Sequence, residues 1–222
     1  MAMTKLKLYN NALMRHLGEG TLSSLSDEVE SRRALDEVYD SGGIDYLLEQ
    51  GLWNFAMRAS KFEYTPSVTP AFGYNYAFEK PTDIIRLVSM CSDEHFEVPL
   101  LSYLDEVGYW FSDMNYIYVK YVSNDAEYGT DFSNWPETFS RFAEAWFASQ
   151  VCERLTHSTT RIERLLGGRY DKIGLVRRLL IDARSKDAMK DPTRFLPAGR
   201  FVSSRTAGSS SGDRGTRGRL IG

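Results

Sequence analysis

The sequence predicts an α+β protein: an antiparallel helical bundle with an inserted small antiparallel β-sheet region and an extended C-terminal arm. Three observations lead there. Apolar residues recur at helical spacing near both ends of the folded part of the chain. Between them, Pro66, Pro70, Pro81 and Pro99 punctuate short aromatic and β-branched runs. After Pro192 the helical period stops and Arg, Gly and Ser dominate. The expected boundaries are 1–60 and 135–191 for the helical domain, 61–134 for the inserted β-rich subdomain and 192–222 for the arm.

The elements follow in order. Leu6, Tyr9, Leu13 and Leu17 give a helix over Thr4–Leu17, ended by Gly18 and Gly20. Ser26 reads as the N-cap of the next helix, with Asp27 and Glu28 behind it and Val29, Leu35, Val38 and Tyr39 as its stripe. Gly42-Gly43 either breaks or only weakens that helix. Ile44–Gln50 is helical again, and Gly51 stops it. In the middle, Tyr74–Phe78, Ile84–Met90 and Asn115–Val122 are the best strands. Ile117, Val119 and Tyr121 fall on one face of the last, and Tyr116, Tyr118 and Lys120 on the other. Pro136 opens the strongest helix, Pro136–Thr156. Its residues Phe139, Phe142, Ala143, Trp146, Phe147 and Val151 form a wide apolar stripe for burial against other helices. A last helix spans about Thr160–Lys190, with Ile162, Leu165, Leu166, Ile173, Val176, Leu179 and Leu180 as its apolar face. Gly167-Gly168 is its weak point, and Asp191-Pro192 ends it.

Composition narrows the class. With 222 residues, 42% hydrophobic and 26% charged, the chain suits a soluble globular protein with one sizeable core. A net charge of −3 argues against a general nucleic-acid binder. Thr193–Gly222 holds six Arg, one Asp and no Lys or Glu, a net of +5, so the first 192 residues carry −8. An acidic body with a basic arm implies a partner for the arm. Cys91 and Cys152 stand alone, which fits a reducing compartment. The first 17 residues interleave Lys5, Lys7, Arg15 and His16 with apolar residues, unlike a signal peptide or anchor. No stretch suits a bilayer span, and synthesis in the cytoplasm without export is expected.

The search for chemistry returns no catalytic residue, metal site or cofactor site, so a non-enzymatic protein is expected. His16, His95 and His157 each lack acidic or Cys partners at ligand spacing. Gly208–Gly212 spells a nucleophile elbow, but in a Gly/Ser-rich tail without the strand and helix such an elbow needs. Gly167-Gly168-Arg169-Tyr170 lacks the lysine and spacing of a phosphate loop. Asp93-Glu94 and Asp105-Glu106 read as solvated turns. Arg177-Arg178, with Arg169, Lys172 and Arg184, makes the last helix basic on its polar face, either a solvated face or an interface. The arm is the candidate partner-binding segment, through Phe195, Leu196, Arg200, Phe201, Val202 and Arg205. Its apolar side chains would anchor, and its guanidiniums would pair with carboxylates or carbonyls. A purely solvating tail has no need of two Phe.

Leu48-Glu49-Gln50-Gly51-Leu52-Trp53-Asn54-Phe55-Ala56 and Ala183-Arg184-Ser185-Lys186-Asp187-Ala188, set in this order of elements, resemble the phage head-to-tail adaptor family, the connector subunits of the tail tubular protein A type. The resemblance covers about residues 4–205. It implies a helical domain packed side by side in a ring, commonly of 12 copies, below the portal protein. The inserted sheet would face a downstream tail or nozzle protein, and the arm would reach the portal or an adjacent subunit. DNA would pass through the lumen without specific binding, and no membrane would be involved. The place of action would be the virion neck. A nucleic-acid-binding accessory protein using its Arg/Gly-rich tail is the alternative reading, and a small enzyme of unknown class is the third.

Overall fold

A computed structural model of the chain describes residues 3–168 and 173–190. Thr4 caps the first helix, α1 (Lys5–Asn11), by accepting from the Lys7 amide at 3.2 Å. The helix continues as a widened π turn, Ala12–Leu17, and stops at Gly18 in the left-handed conformation. Helix α2 is Glu30–Val38, a second π turn covers Tyr39–Gly43, and α3 is Ile44–Glu49. Ser26 is not the N-cap of α2. The Asp27 carboxylate instead folds back onto the amides of Ser23 and Ser24, which holds this stretch in a turn, and the helix starts three residues later at Glu30. At the second π turn Gly42 takes φ 89°. A Cβ on Gly43 would lie 2.6 Å from the Val38 carbonyl oxygen and against Trp146 and Phe147. The glycine pair thus lets the chain bend without ending the helical run.

Six strands follow: β1 (Met57–Glu63), β2 (Tyr76–Glu79), β3 (Ile84–Cys91), β4 (Leu104–Asp105), β5 (Tyr109–Ser112) and β6 (Tyr116–Ser123). They form two antiparallel three-stranded sheets, ordered β1-β6-β3 and β2-β5-β4. The alternation read in the sequence holds for β6: Ile117, Val119 and Tyr121 are buried, and they meet Phe78, Met90 and Trp110 in a small separate core. Val122, on the opposite face, joins the larger core of the helices. Around Asp83 the sheet is stitched together. Its carboxylate accepts from Arg58 at 3.0 Å and from the Ser123 hydroxyl at 2.5 Å. Asn124 then donates to Asp45 of α3 at 3.0 Å, and Arg86 to the Glu49 carbonyl at 3.1 Å, which ties the sheet to the helices.

Three described helices follow the strands: α4 (Glu137–Thr156), α5 (Thr159–Leu166) and α6 (Leu175–Ala188). Phe139 of α4 sits among three aromatic rings, Trp53, Phe55 and Trp135, each with centroids 4.8 Å from its own. Beyond the expected stripe, Ser140, Glu144, Ala145, Ala148, Ser149 and Cys152 are buried too. The helix is enclosed on nearly every side.

This architecture corrects the expected fold class. The chain is mixed α and β, but its helices do not form an antiparallel bundle. Among the described helices α4 has 20 residues and α6 has 14, while α1, α2, α3 and α5 have 6 to 9 each. Such short pieces wrap one central helix and cannot run beside it as full-length partners. The expected single small sheet is two sheets. The expected last helix is two helices, parted at Gly167, where φ is 97°. The expected arm, 192–222, lies outside the described residues.

Gly43→Ala is expected to destabilise the protein by about 1–3 kcal/mol, since backbone and two packed rings stand in the way of the methyl group. Gly20→Ala, at a site with open space, is expected to stay within about 0.5 kcal/mol of wild type. Urea unfolding of the two variants checks both.

Candidate assembly surface

The two short motifs that carry the family resemblance lie about 130 residues apart in the chain, and they meet. The Asn54 amide donates to Asp187 Oδ2 at 2.8 Å, and its side-chain Nδ2 donates to the Asp187 carbonyl at 3.0 Å. Arg184 donates to the Gln50 carbonyl, and Trp53 Nε1 to the Leu47 carbonyl at 3.1 Å. Ala183 is fully packed beneath. Sequence dictates this local form. Gly51 and Leu52 end α3, a 3₁₀ turn at Asn54–Ala56 leaves the Asn54 amide pointing outward, and α6 presents Ala183 and Asp187 on one face at i, i+4 spacing. Asp187 is buried, yet its Oδ1 receives no hydrogen bond, and Lys190 Nζ stands 3.5 Å away. This clasp fixes the end of α6 against the start of β1, where the described chain ends at Lys190.

A second buried carboxylate holds the N-terminal helix. Glu144, 2% exposed on α4, accepts from Asn11 Nδ2 at 2.6 Å and from Arg15 at 2.9 Å. Asn11 and Arg15 flank the boundary between α1 and its π turn. Lys7, Ser140, Trp135 and Glu137 complete a polar cavity of about 170 Å³ here. Burial raises the Glu144 pKa, against the pull of Asn11 and Arg15. A third carboxylate, Asp36, joins α1 to α2 through Lys5 at 3.0 Å, Arg32 at 2.7 Å and the Tyr9 hydroxyl at 2.9 Å. Burial opposes its ionisation, but the bonds from Lys5 and Tyr9 prevail and its pKa falls.

The histidines do not converge. His16 lies near the end of the first π turn, and burial, then Arg164 and Arg15, lower its pKa to about 4. His157 is the left-handed cap of α4, and His95 is an exposed loop residue 3.5 Å from Glu94. Asp93 accepts from the amides of Glu97 and Val98, which makes it a turn former. Cys91 and Cys152 are buried free thiols. Among the described residues no group of three or more His, Cys, Asp or Glu is placed to hold a metal ion. No described helix is long and apolar enough to cross a membrane.

The surface carries large apolar side chains in several places, among them Leu25, Val29 and Tyr46 about α2 and α3. On loops of the β region, Phe72 is 84%, Leu101 87% and Val107 fully exposed. On the last helices and beside α6, Leu166, Ile173, Ile181 and Met189 are exposed, although the sequence places Leu166 and Ile173 in the apolar face. The six expected contact residues, Phe195, Leu196, Arg200, Phe201, Val202 and Arg205, lie outside the described residues, as does Gly208–Gly212. Sequence reading missed the clasp and Glu144. The pairing of an Asn amide with a distant Asp leaves no periodic trace, and a Glu inside an apolar helix reads as part of its polar face. No protein-family model matches the chain, and no curated protein matches it.

Asp187→Ala is expected to cost about 1–3 kcal/mol, because the Asn54 amide loses its acceptor in a half-buried site. Asp187→Asn, which retains an acceptor oxygen, is expected to lose less in the same urea titration. Glu144 gives a pH signature. With its folded-state pKa raised, it holds its proton more tightly folded than unfolded. Its contribution to stability is therefore fully present below the ordinary value of 4.5 and declines as pH rises through the folded value. The stability of wild type relative to Glu144→Gln is expected to fall as pH rises from 4.5, measured by unfolding at a series of pH values. His16 acts in the opposite sense: its share is lost as pH falls from 6.5 toward about 4, and His16→Asn is expected to remove that loss.

Proposed function

We propose that this chain is a structural adaptor of a phage virion neck. Copies of it assemble into a ring that joins the portal protein to the downstream tail or nozzle protein, and DNA passes through the lumen without specific binding. The observation that carries this reading is the clasp. The Trp53-Asn54-Phe55-Ala56 element and the Ala183–Ala188 element are the two motifs that resemble the adaptor family, and they fit one another through two hydrogen bonds about Asp187. Motifs that meet in the fold have a shared structural reason to occur together, which two chance matches lack.

The use of the buried and half-buried acids supports a non-enzymatic, structural role. Glu144, Asp36, Asp83 and Asp187 each join two separate elements, and each is engaged in doing so. The exposed Phe72, Leu101 and Val107 on the β loops suit contact with the next tail component. In this reading the arm, through Phe195, Leu196, Arg200, Phe201, Val202 and Arg205, reaches the portal or an adjacent subunit. The protein is made in the host cytoplasm and functions in the virion. Twelve copies is the ring size that the resemblance implies.

Electron microscopy of the purified chain, alone and mixed with the portal protein, tests the proposal. Rings seated on the portal are expected, and deletion of 193–222 is expected to abolish them. Absence of portal binding would overturn the proposal. Steeply salt-sensitive DNA binding that disappears with the tail would favour the nucleic-acid reading in its place.

A further inference from the structure

Two flanks of the helical part carry opposite charge. Between Asp27 and Glu49, eight carboxylates stand against two guanidiniums. Glu28 and Asp40 are exposed there, as are Glu30 and Glu37, which both pair with Arg154 of α4, and the apolar side chains of Leu25, Val29 and Tyr46 are also at the surface. Between Leu175 and Lys190, five cationic side chains stand against two carboxylates. On α6, Arg177, Ile181, Arg184 and Ala188 follow i, i+4, i+7, i+11, so they form one exposed stripe. Ile181 is 53% exposed, and Met189 at the helix end is 71% exposed.

Both flanks are built on α4. Helices α2 and α6 each pack against it and make no substantial contact with one another. The molecule therefore presents an acidic face with apolar spots on one helix and a basic face with apolar spots on another. A face that complements a different face of an identical molecule makes a head-to-tail contact, which closes into a ring if the rotation per copy allows.

We infer that the α6 stripe of one copy docks on the α2–α3 flank of the next, Arg177 and Ile181 meeting the acidic and apolar side chains about Glu28, Val29 and Asp40. The occupant is a second copy of this chain, because the complementary charge is found on the chain itself. The inference rests on the ring-forming reading above and names its contact faces. Charge complementarity of this kind sets the register and excludes the reversed pairing, in which like faces would meet. Apolar spots within the charged faces supply the area removed from water.

A charge swap on the full chain tests the inference. The first variant is Arg177→Glu with Ile181→Glu, and the second is Glu28→Arg with Asp40→Arg. Sedimentation of each, with and without the portal, is expected to show self-association weakened by about tenfold or more, since each variant brings like charges together. An equimolar mixture is expected to recover assembly, because each reversed face then meets its reversed complement. Recovery also shows that both variants are folded. If wild type forms rings and either reversal leaves them unchanged, or the mixture fails to recover, the docking faces are wrong and the adaptor reading stands. If wild type stays monomeric with and without the portal, the ring reading fails and the docking faces with it.

Discussion

The near-complete enclosure of α4 is the constraint on which the rest of the structure depends. A helix with one apolar stripe can be covered by a single neighbour, but α4 buries residues around its whole circumference. It therefore needs cover from several directions, and the chain supplies it in short pieces. The first π turn, α2, α5 and α6 each take one side, and the Trp53–Phe55 and Trp135 rings close around Phe139. Each piece is too short to be stable alone, so its helicity derives from the packing. Removing a large ring from α4, such as Phe142 or Phe147, would deprive several pieces of their common support.

Polar groups decide where these pieces attach. Apolar burial favours cover of α4 but does not by itself fix a register. Buried and half-buried carboxylates do, because a charge taken from water must find its partners. Glu144 locks α1 to α4, Asp36 locks α1 to α2, and Asp187 locks α6 to the turn before β1. The clasp also places the start of the β region beside the end of the last described helix. The proposed adaptor role would use this property, since surfaces meant for different neighbours would be held at a fixed relation by the shared core.

Much of this was legible from single elements, and less from their assembly. The strand at 116–123, the turn at Gly42-Gly43 and the helix at 137–156 were readable because periodicity and proline or glycine placement are local signals. Strand β1 was not, since Met-Arg-Ala-Ser-Lys-Phe-Glu carries no β-branched residue, and it is a strand because β6 lies alongside. The all-round burial of α4 was hidden behind Ala145, Ala148, Ser149 and Cys152, small residues that read as neutral and serve here as close-packing positions. The bundle expectation failed for a related reason. Helical period says nothing about helix length across a π turn or a Gly pair, and length separates a bundle from short helices wrapped on one. The candidate contact residues of 195–205 rest on composition alone. The clasp joins residues 133 positions apart, and no local pattern reveals that.

In the proposed adaptor, function lies in contact between copies and with neighbours in the virion. Hydrogen–deuterium exchange of the chain, free and assembled on the portal, tests it most directly. In the assembly, α6, the α2–α3 flank and residues 193–205 are expected to gain protection, while α4 and the Asn54 amide are protected in both states. Unchanged exchange at α6, α2–α3 and 193–205 in the assembled protein would contradict it.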